Sequence, residues 1–261
     1  MTATDYVHGY GPAEIRRLSD QAETLASLLH AGTAYPPGSR VLEVGCGVGA
    51  QTVHLVRGSP GAHLTSIDVD ESSLALARAR VPETVEFRHA NLFDITEEFD
   101  HVFVCFVLEH LRDPHAALTY LRGLLRPGGT ITVIEGDHGS AFFHPDHPAA
   151  HKVIDCLVTL QRRAGGDALI GRRVEPLLTA AGFREVRTRP RTVYADRTRP
   201  DLVAGFTRDT FTAMVAGVRE EALAAGLATQ SEWRQGIDAL NRTADEGGTF
   251  HYAFFKGTAT R

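Results

Sequence analysis

The feature that most constrains this chain is a run of three glycines directly after a short apolar segment. Residues 41–49 have the sequence VLEVGCGVG, and Asp68 ends the next apolar segment, 23 residues after Gly45. Glycines between a buried strand and a helix let the backbone bend sharply and approach a ligand closely. A carboxylate at the end of the second strand can accept hydrogen bonds from ribose hydroxyls. The pattern therefore predicts a nucleotide-binding turn followed by a ribose-binding acid.

Strand-like and helix-like segments alternate over about 100 residues after this point. Strands are predicted over 40–44, 63–67, 85–88, 101–107 and 129–135, with helices over 50–57, 71–80 and 114–125. Asp70 and Asp113 are candidate N-caps for the last two helices. Two further strands are predicted over 185–195 and 249–256. This alternation predicts the α/β class, with a doubly wound and mostly parallel sheet covered by helices on both faces.

The remaining length is predicted to belong to the same single domain, 1–261. We expect residues 1–38 to form an N-terminal helical lid containing a helix over 12–30, and residues 39–136 to form the nucleotide-binding core. Residues 137–171 and 196–248 are predicted to be helical cap inserts, and residues 172–195 and 249–261 to complete the sheet. A helix over 148–163 is expected within the first insert. The inserts are the expected source of a substrate pocket.

Composition and charge exclude several classes of partner. The net charge is −5, which gives no general attraction for nucleic acid or anionic lipid. No apolar run is long enough to span a membrane, and the first residues lack the pattern of a secretory leader. Three widely spaced cysteines form no disulfide or zinc pattern. We therefore expect a bacterial, cytoplasmic protein that acts on a small molecule, either as a monomer or as a homodimer.

The glycine loop by itself fits two nucleotides. Gly45, Gly47 and Ala50 satisfy the G-x-G-x-x-A pattern of NAD-binding proteins. Glu43, together with Gly45, Gly47 and Gly49, instead satisfies the E-x-G-x-G-x-G pattern of S-adenosylmethionine (SAM) methyltransferases. The loop does not separate these two interpretations, so the choice depends on the rest of the chain.

Several other segments match the methyltransferase pattern, in the expected order along the chain. They are SID ending at Asp68, ANL at 90–92, FDHVFVCFVLEHL at 99–111 and LLRPGG at 124–129. On these residues the chain resembles class I SAM-dependent methyltransferases of small molecules, especially the group typified by the ubiquinone and menaquinone biosynthetic enzymes. The resemblance implies a Rossmann-like seven-stranded sheet with an antiparallel last strand. It also implies SAM as cofactor and S-adenosylhomocysteine (SAH) as product.

The resemblance further implies a set of cofactor-binding residues. They are Glu43, Gly45, Gly47, Gly49, Gln51, Asp68, Val69, Asn91, Leu92, Phe106, Val107 and Tyr10. The three glycines would line the methionyl and ribose part of SAM, with Glu43 supporting the loop. Asp68 would hold the ribose hydroxyls and Val69 would flank adenine, whereas Asn91 replaces an acid and weakens the expected adenine contact. Phe106 and Val107, at the end of the fourth strand, would pass under the methionyl chain. Tyr10 would belong to a lid.

Two histidines are the candidate catalytic residues. Methyl transfer needs a general base only when the nucleophile arrives protonated, and such groups are expected after the fourth and fifth strands. His138, after the fifth strand, is the preferred base or orienting residue. His110, after the fourth strand, is a second candidate for base or substrate contact. Packing beside the cofactor is the alternative role for the segment that contains Glu109 and His110.

Two other patterns are given structural interpretations. His144, His147 and His151 have a spacing that could bind a metal on a helix, but two prolines interrupt that helix, so we predict a capped helix start and no metal. Tyr252 and Lys256 match the spacing of the catalytic pair in short-chain dehydrogenases. That pair requires a helix, whereas FHYAFFK alternates as a strand does.

We therefore expect SAM-dependent methyl transfer, by direct attack on the methyl group, to a small apolar or aromatic metabolite such as a natural product or a quinone-like compound. The first alternative is an enzyme of the same fold that catalyses cyclisation or rearrangement without methyl transfer. A more distant alternative is an NAD-dependent oxidoreductase. The sequence does not identify the acceptor or the atom that is methylated.

Overall fold

A seven-stranded mixed sheet forms the centre of the molecule, in a computed structural model that describes residues 12–81 and 84–261. The strands are β1 (Arg40–Val44), β2 (His63–Asp68), β3 (Glu86–His89), β4 (Phe99–Cys105), β5 (Leu125–His144), β6 (Arg184–Ala195) and β7 (Thr249–Thr260). Their order across the sheet is β3-β2-β1-β4-β5-β7-β6. The first five strands are parallel, and β7 runs antiparallel to both β5 and β6. The predicted Rossmann-like fold with an antiparallel last strand is confirmed.

Helices cover both faces of this sheet. They are α1 (Pro12–Leu29), α2 (Thr52–Gly58), α3 (Glu71–Arg80), α4 (Pro114–Leu124), α5 (Pro148–Arg163), α6 (Val174–Ala180), α7 (Pro200–Leu202), α8 (Ala213–Gly217), α9 (Arg219–Ala224) and α10 (Gln230–Arg242), with a π-helix over Val203–Thr212. Because successive strand residues face opposite sides, Phe103 packs with α1 and α2 in one core, while Val102 and Val104 pack with α4 and α6 in the other. The central strands are therefore apolar on both faces.

Local capping explains the helix starts that were predicted correctly. Asp70 accepts a hydrogen bond from the Ser73 N–H at 2.7 Å, and α3 begins at the next residue. Asp113 accepts from the Ala116 N–H at 2.8 Å, and Pro114 occupies the first turn of α4. These carboxylates satisfy donors that a helix leaves unpaired at its N-terminus. The predicted helix over 148–163 is also found, with the His147 ring as its cap.

The start of the first insert corrects a prediction. Residues 137–144 were expected to belong to a helical cap, but they continue β5 and pair with the first part of β7, where Phe142 lies opposite His251. The extension of β7 supplies backbone hydrogen-bond partners that a sequence pattern does not reveal. The second insert, 196–248, is helical as predicted. Strand β4 ends at Cys105, so Phe106 and Val107 lie in the turn that follows it.

Other segments have structural roles. His147 caps α5 and His151 pairs with Asp146 at 2.6 Å, and the described residues contain no cluster of His, Cys, Asp or Glu suited to a metal. Strand β6 is an edge strand whose arginines at 184, 187 and 189 are exposed. Over the same described ranges, we find no helix of the length and apolar character needed to cross a membrane.

Candidate functional site

A cavity opens at the carboxyl ends of β1, β2 and β4, where ligands bind in open α/β sheets. Ten of the predicted site residues line it: Gly45, Gly47, Gln51, Asp68, Val69, Asn91, Leu92, Phe106, Val107 and His110. Leu18 and Gln21 of α1 form another part of its wall. The topology therefore brings residues from five separate segments of the chain to one cavity. Tyr10 lies outside the described residues, so its predicted lid contact stays a prediction.

The glycine loop is held close to the end of β4. Gly45 adopts the left-handed φ of +69°, and a Cβ at this position would lie 2.5 Å from Cγ2 of Val107. The N–H groups of Gly45 and Cys46 both donate to the Ile67 carbonyl oxygen, at 2.8 and 3.0 Å. Only a residue without a side chain combines this dihedral with this contact. The loop is therefore fixed against β2 while its backbone faces the cavity.

Gly49 and Glu43 have supporting positions behind this loop. Gly49 is not part of the cavity wall, and a Cβ on it would lie 3.0–3.2 Å from Val81 and Ala77 at the end of α3, so its contact with SAM stays a prediction. Glu43 is buried, is not part of the cavity wall, and accepts hydrogen bonds from the hydroxyls of Thr52 and Ser66, both at 2.7 Å. Burial raises the pKa of Glu43 to about 7, although these two hydrogen bonds act to lower it. Its predicted role in supporting the loop agrees with these contacts.

Asp68 lies where the end of β2 meets the glycine loop. Its two carboxylate oxygens accept hydrogen bonds from the backbone N–H of Gly47 at 2.7 Å and of Asp70 at 2.9 Å. Burial raises the pKa of Asp68, and these hydrogen bonds oppose the shift. Because a carboxylate oxygen has two lone pairs, each still has one available for a ligand hydroxyl. The arrangement can hold a vicinal diol.

The other side of the cavity is formed by the short turn after β3. The Asn91 side-chain oxygen accepts from the Phe93 N–H at 3.1 Å, so this amide caps the turn. Leu92 is buried and, with Val69, gives the wall apolar surface suited to a planar ring. Gln51 accepts a hydrogen bond at 2.7 Å from His30, which follows α1, if the His30 Nε2 carries the proton. Gln51 thus links the cavity to the N-terminal helix.

These residues fit SAM by their donor set and shape. Asp68 offers acceptors for ribose hydroxyls, and the position of Gly45 leaves space that a Cβ would fill. Val69 and Leu92 provide an apolar surface for adenine, and Phe106 and Val107 form the opposite end of the cavity, where the methionyl chain would lie. No residue of this set presents a group that SAM chemistry would exclude.

A second, mostly aromatic cavity shares a wall with the first. It is lined by Arg17, Leu18, Gln21, Phe106, Glu109, His110, Gly136, His138, Phe206, Thr210, Phe211, Met214, Tyr252 and Phe254. Leu18, Gln21, Phe106 and His110 belong to both cavities. The π-helix and α8 of the second insert contribute Phe206, Phe211 and Met214, as expected for a cap that encloses a pocket. Phe142 and Phe143, near the end of β5, do not line this cavity: Phe142 is exposed and Phe143 packs in the core.

A bulge in β5 directs His138 into this second cavity. The strand pairing passes from Asp137 opposite Ala253 to Phe142 opposite His251, so four residues of β5 face only Tyr252. Such bulges reorient side chains beside ligand sites. His138 is buried, and its Nδ1 lies 2.6 Å from the Tyr252 hydroxyl oxygen, while its Nε2 has no hydrogen-bond partner within residues 12–81 and 84–261. Burial lowers the pKa of His138, so its ring is neutral near pH 7.

Glu109 is the carboxylate that lines the second cavity. Its Oε2 accepts from the Gln161 amide at 3.0 Å, and its Oε1 lies 3.5 Å from the His110 Nε2. Burial favours the neutral acid, but His110, the Gln161 hydrogen bond and the Arg17 cation lower the Glu109 pKa below its ordinary value. The neighbouring Glu135 shows the opposite shift, because burial and the charge of Glu109 raise its pKa. The pKa values of these two neighbouring carboxyl groups are therefore shifted in opposite directions.

Glu135 holds the turn that separates the two cavities. Its Oε1 accepts hydrogen bonds from the N–H groups of Val107 and Leu108, at 3.0 and 2.8 Å. The preceding residue, Phe106, has a φ of +57°, which is unusual for a side chain of this size. The carboxyl group thus fixes a strained residue at the shared wall.

Sequence reasoning missed Tyr252 as the partner of His138. The strand alternation in FHYAFFK placed Phe250, Tyr252 and Phe254 on one face, which was a usable signal, but the long β5 extension opposite them was not predicted. Lys256, in the same strand, donates to the carbonyl oxygens of Leu29 and Ala31 at 3.0 and 2.9 Å. Tyr252 and Lys256 therefore have separate structural surroundings and do not form a dehydrogenase pair.

Comparison with known proteins agrees with this geometry. The methyltransferase domain family matches residues 42–133. A ubiquinone biosynthesis O-methyltransferase of Aromatoleum aromaticum is 36% identical over 101 residues, which are 36% of this chain and 42% of that protein. A trans-aconitate 2-methyltransferase of Deinococcus radiodurans is 26% identical over 181 residues, which are 68% of this chain and 67% of that protein.

A solved structure supports the fold over almost the whole chain. Phosphoethanolamine N-methyltransferase 2 of Haemonchus contortus, in complex with SAM, gives a TM-score of 0.58 at 19% identity over 92% of this chain and 52% of that one. Among curated relatives, this chain also spans only 24% to 59% of the length of three that it matches. Residues 42–133 therefore form a methyltransferase domain, and the glycine loop and the sheet order resemble those of class I SAM-dependent methyltransferases, with SAM as the cofactor.

Proposed function

We propose that this protein transfers the methyl group of SAM to a small apolar or aromatic metabolite. The observation that carries the proposal is the shared wall between a nucleotide-type cavity and an aromatic cavity, formed by Leu18, Gln21, Phe106 and His110. A bound cofactor and a bound acceptor would meet at this wall. Bringing two reactants together in a fixed orientation is the main contribution that such a site can make.

The residues of the first cavity bind and orient the cofactor in this proposal. Asp68 accepts from the ribose hydroxyls, and the backbone around Gly45 and Gly47 leaves space for the ribose and methionyl chain. Gln51 and Phe106 close the ends of the cavity. When bound, SAM supplies an electrophilic methyl group that needs no further activation. The chain must therefore position the acceptor and exclude water.

The second cavity has the character expected for an apolar acceptor. Phe206, Phe211, Met214 and Phe254 provide its apolar surface, and the first two of these are almost completely buried. The enclosure by aromatic rings favours a ring-containing metabolite over a small charged acid. Polar groups at the other end would fix its orientation.

His138 and His110 remain the proposed catalytic residues. His138 lines the acceptor cavity, and its buried Nε2 has no hydrogen-bond partner among the described residues. His110 belongs to both cavities and lies beside Glu109, so it would contact the reacting ends of both molecules. We further propose that the reaction belongs to secondary metabolism in the cytoplasm of a bacterium. The three cysteines are free and buried, which suits a reducing compartment.

The test is to incubate the protein with methyl-labelled SAM and a panel of phenols, quinols and enolisable ketones. Label transfer with equimolar SAH release is the expected result. Conversion of an acceptor without SAH release would instead establish cyclisation or rearrangement on the same fold. Calorimetry with SAM, SAH and NADH addresses the cofactor itself, and binding of NADH without SAM or SAH would refute the proposal.

A further inference from the structure

We infer that Tyr252 fixes His138 in the tautomer that carries its proton on Nε2, so that His138 donates a hydrogen bond to the acceptor. The acceptor would then present a carbonyl, phenolate or enolate oxygen at this position. The identification of this ligand as the methyl acceptor rests on the proposed function. Its geometric basis is the 2.6 Å contact between His138 Nδ1 and the Tyr252 hydroxyl oxygen.

The position of the Tyr252 proton decides the tautomer. Burial raises the pKa of Tyr252 well above its ordinary value, so the phenol keeps its proton. Among the described residues, the hydrogen-bond partner of this hydroxyl is His138 Nδ1, which is placed to accept its proton. If Nδ1 carried the proton instead, two donors would face each other or the buried phenol would lose its acceptor.

Burial favours the neutral form of the His138 ring. Burial lowers its pKa, and Arg17 and His110 act in the same direction, while Glu109 and Asp137 oppose it. The Asp137 carboxylate is itself held by Arg172, with contacts of 2.7 and 2.8 Å. A neutral imidazole has one proton, and with Nδ1 accepting from Tyr252 this proton lies on Nε2.

The pair is built into the fold. A Cβ on Gly136 would lie 2.5 Å from the Tyr252 hydroxyl oxygen, so glycine is required where β5 passes this group. The Tyr252 ring packs against Phe206, Phe211 and Phe254, with ring centroids 4.8–5.5 Å apart. A rigid partner thus holds the imidazole.

The free end of the imidazole identifies the ligand chemistry. His138 Nε2 is buried, has no partner in the described structure, and belongs to a residue that lines the acceptor cavity. A buried donor without a partner favours a ligand that brings an oxygen acceptor. His138 keeps its proton, and an acceptor that binds as a phenolate or enolate needs no general base in the site.

The tautomer can be measured without any enzymatic turnover. Long-range proton–nitrogen correlation spectra of the full chain, labelled with nitrogen-15 histidine, show which ring nitrogen carries the proton. His138→Gln, or His138→Asn if the first variant does not fold, assigns the signals by their disappearance. We expect the neutral Nε2–H form in the wild type and a loss of this preference in Tyr252→Phe.

Tyr120→Phe is the matched control, because the Tyr120 hydroxyl bonds to the carbonyl oxygens of Phe93 and Ile95 and should leave the His138 spectrum unchanged. A wild-type His138 that is protonated on Nδ1, charged or mixed would overturn the inference, as would an unchanged spectrum in Tyr252→Phe. SAH calorimetry on the same samples is independent of the tautomer. Its failure would count against the proposed function alone.

The ligand class is tested with 4-nitrophenol, whose absorbance reports its ionisation, added to protein saturated with SAH. We expect the bound dye to ionise at a lower pH than in solution, and the shift to disappear in His138→Leu. Binding as the neutral phenol, or no binding, would overturn the assignment of an oxygen-acceptor ligand.

Discussion

Replacing Asp68 by alanine removes the acceptor on which the proposed ribose contact depends. In the structure this carboxylate joins two backbone donors, the N–H groups of Gly47 and Asp70, and borders the first cavity. The substitution therefore removes the proposed contacts to two ribose hydroxyls and also leaves two loop amides without this partner. Both effects weaken cofactor binding, whereas only the second affects the free protein.

The expected magnitude follows from these contacts. A hydrogen bond to a charged group contributes about 1.5–3 kcal/mol, so two of them correspond to about 3–6 kcal/mol of SAH binding free energy, or roughly 10²–10⁴ in Kd. Asp68→Asn should also weaken binding, because both carboxylate oxygens accept backbone N–H groups and an amide would turn a donor toward one of them.

The assay is isothermal titration calorimetry with SAH, after circular dichroism has shown that each variant is folded. Asp70→Ala is the matched control, since this carboxylate lies two residues away, caps α3 and does not line the cavity. It should lower the free energy of unfolding by about 1 kcal/mol and leave SAH affinity within about threefold of wild type. An Asp68→Ala variant with wild-type affinity, or an equal loss in the control, would refute the ribose assignment.

Three further substitutions test the loop, an acid-sensitive contact and a cap. At Gly45 the backbone φ is +69°, and the added Cβ of Gly45→Ala would lie 2.5 Å from Val107. This substitution should abolish detectable SAH binding and lower the free energy of unfolding in urea by about 2–5 kcal/mol. Unchanged SAH binding would contradict the close approach of the loop to Val107. Burial lowers the pKa of His30 from 6.5 to about 4, so its contribution is present above pH 6.5 and is lost as the pH falls toward 4. Wild type should therefore lose about 2 kcal/mol more than His30→Gln between pH 8 and pH 5 in urea unfolding, and parallel curves would show that the ring does not titrate in this way. Asp113→Ala should destabilise the protein by about 1 kcal/mol in the same assay, with unchanged SAH binding, because it caps α4 away from both cavities.

Local signals predicted the strands and helices of the core, residues 39–136, for physical reasons. Asp70 and Asp113 mark helix starts through hydrogen bonds that span only three residues, so their effect is visible in the sequence. The glycine loop and Asp68 likewise belong to one strand–turn–helix–strand unit. The close packing of Gly49 against Val81 has no such local signal, because it depends on how α3 packs.

The second cavity, by contrast, depends on contacts between residues that are distant in the chain. The β5 extension, the bulge at 138–141 and the pairing of His138 with Tyr252 require strands that are more than 100 residues apart in the chain. The π-helix over 203–212 is equally invisible, because its apolar stripe is compatible with an ordinary helix. His138 was proposed from its expected place after the fifth strand, whereas the structure places it within β5, and its contact with Tyr252 was not predicted.

The turn after β4 lies between the first cavity and the second. Phe106 forms part of both cavities and holds a left-handed dihedral that a phenylalanine rarely adopts, at a typical cost of about 1–3 kcal/mol. Glu135, within β5, offsets this cost by accepting hydrogen bonds from the next two backbone N–H groups. Because His138 follows Glu135 by only three residues, one short segment of β5 holds both the turn between the two cavities and the histidine that lines the second cavity. In the proposed reaction, the relative placement of cofactor and acceptor would therefore depend on this one segment.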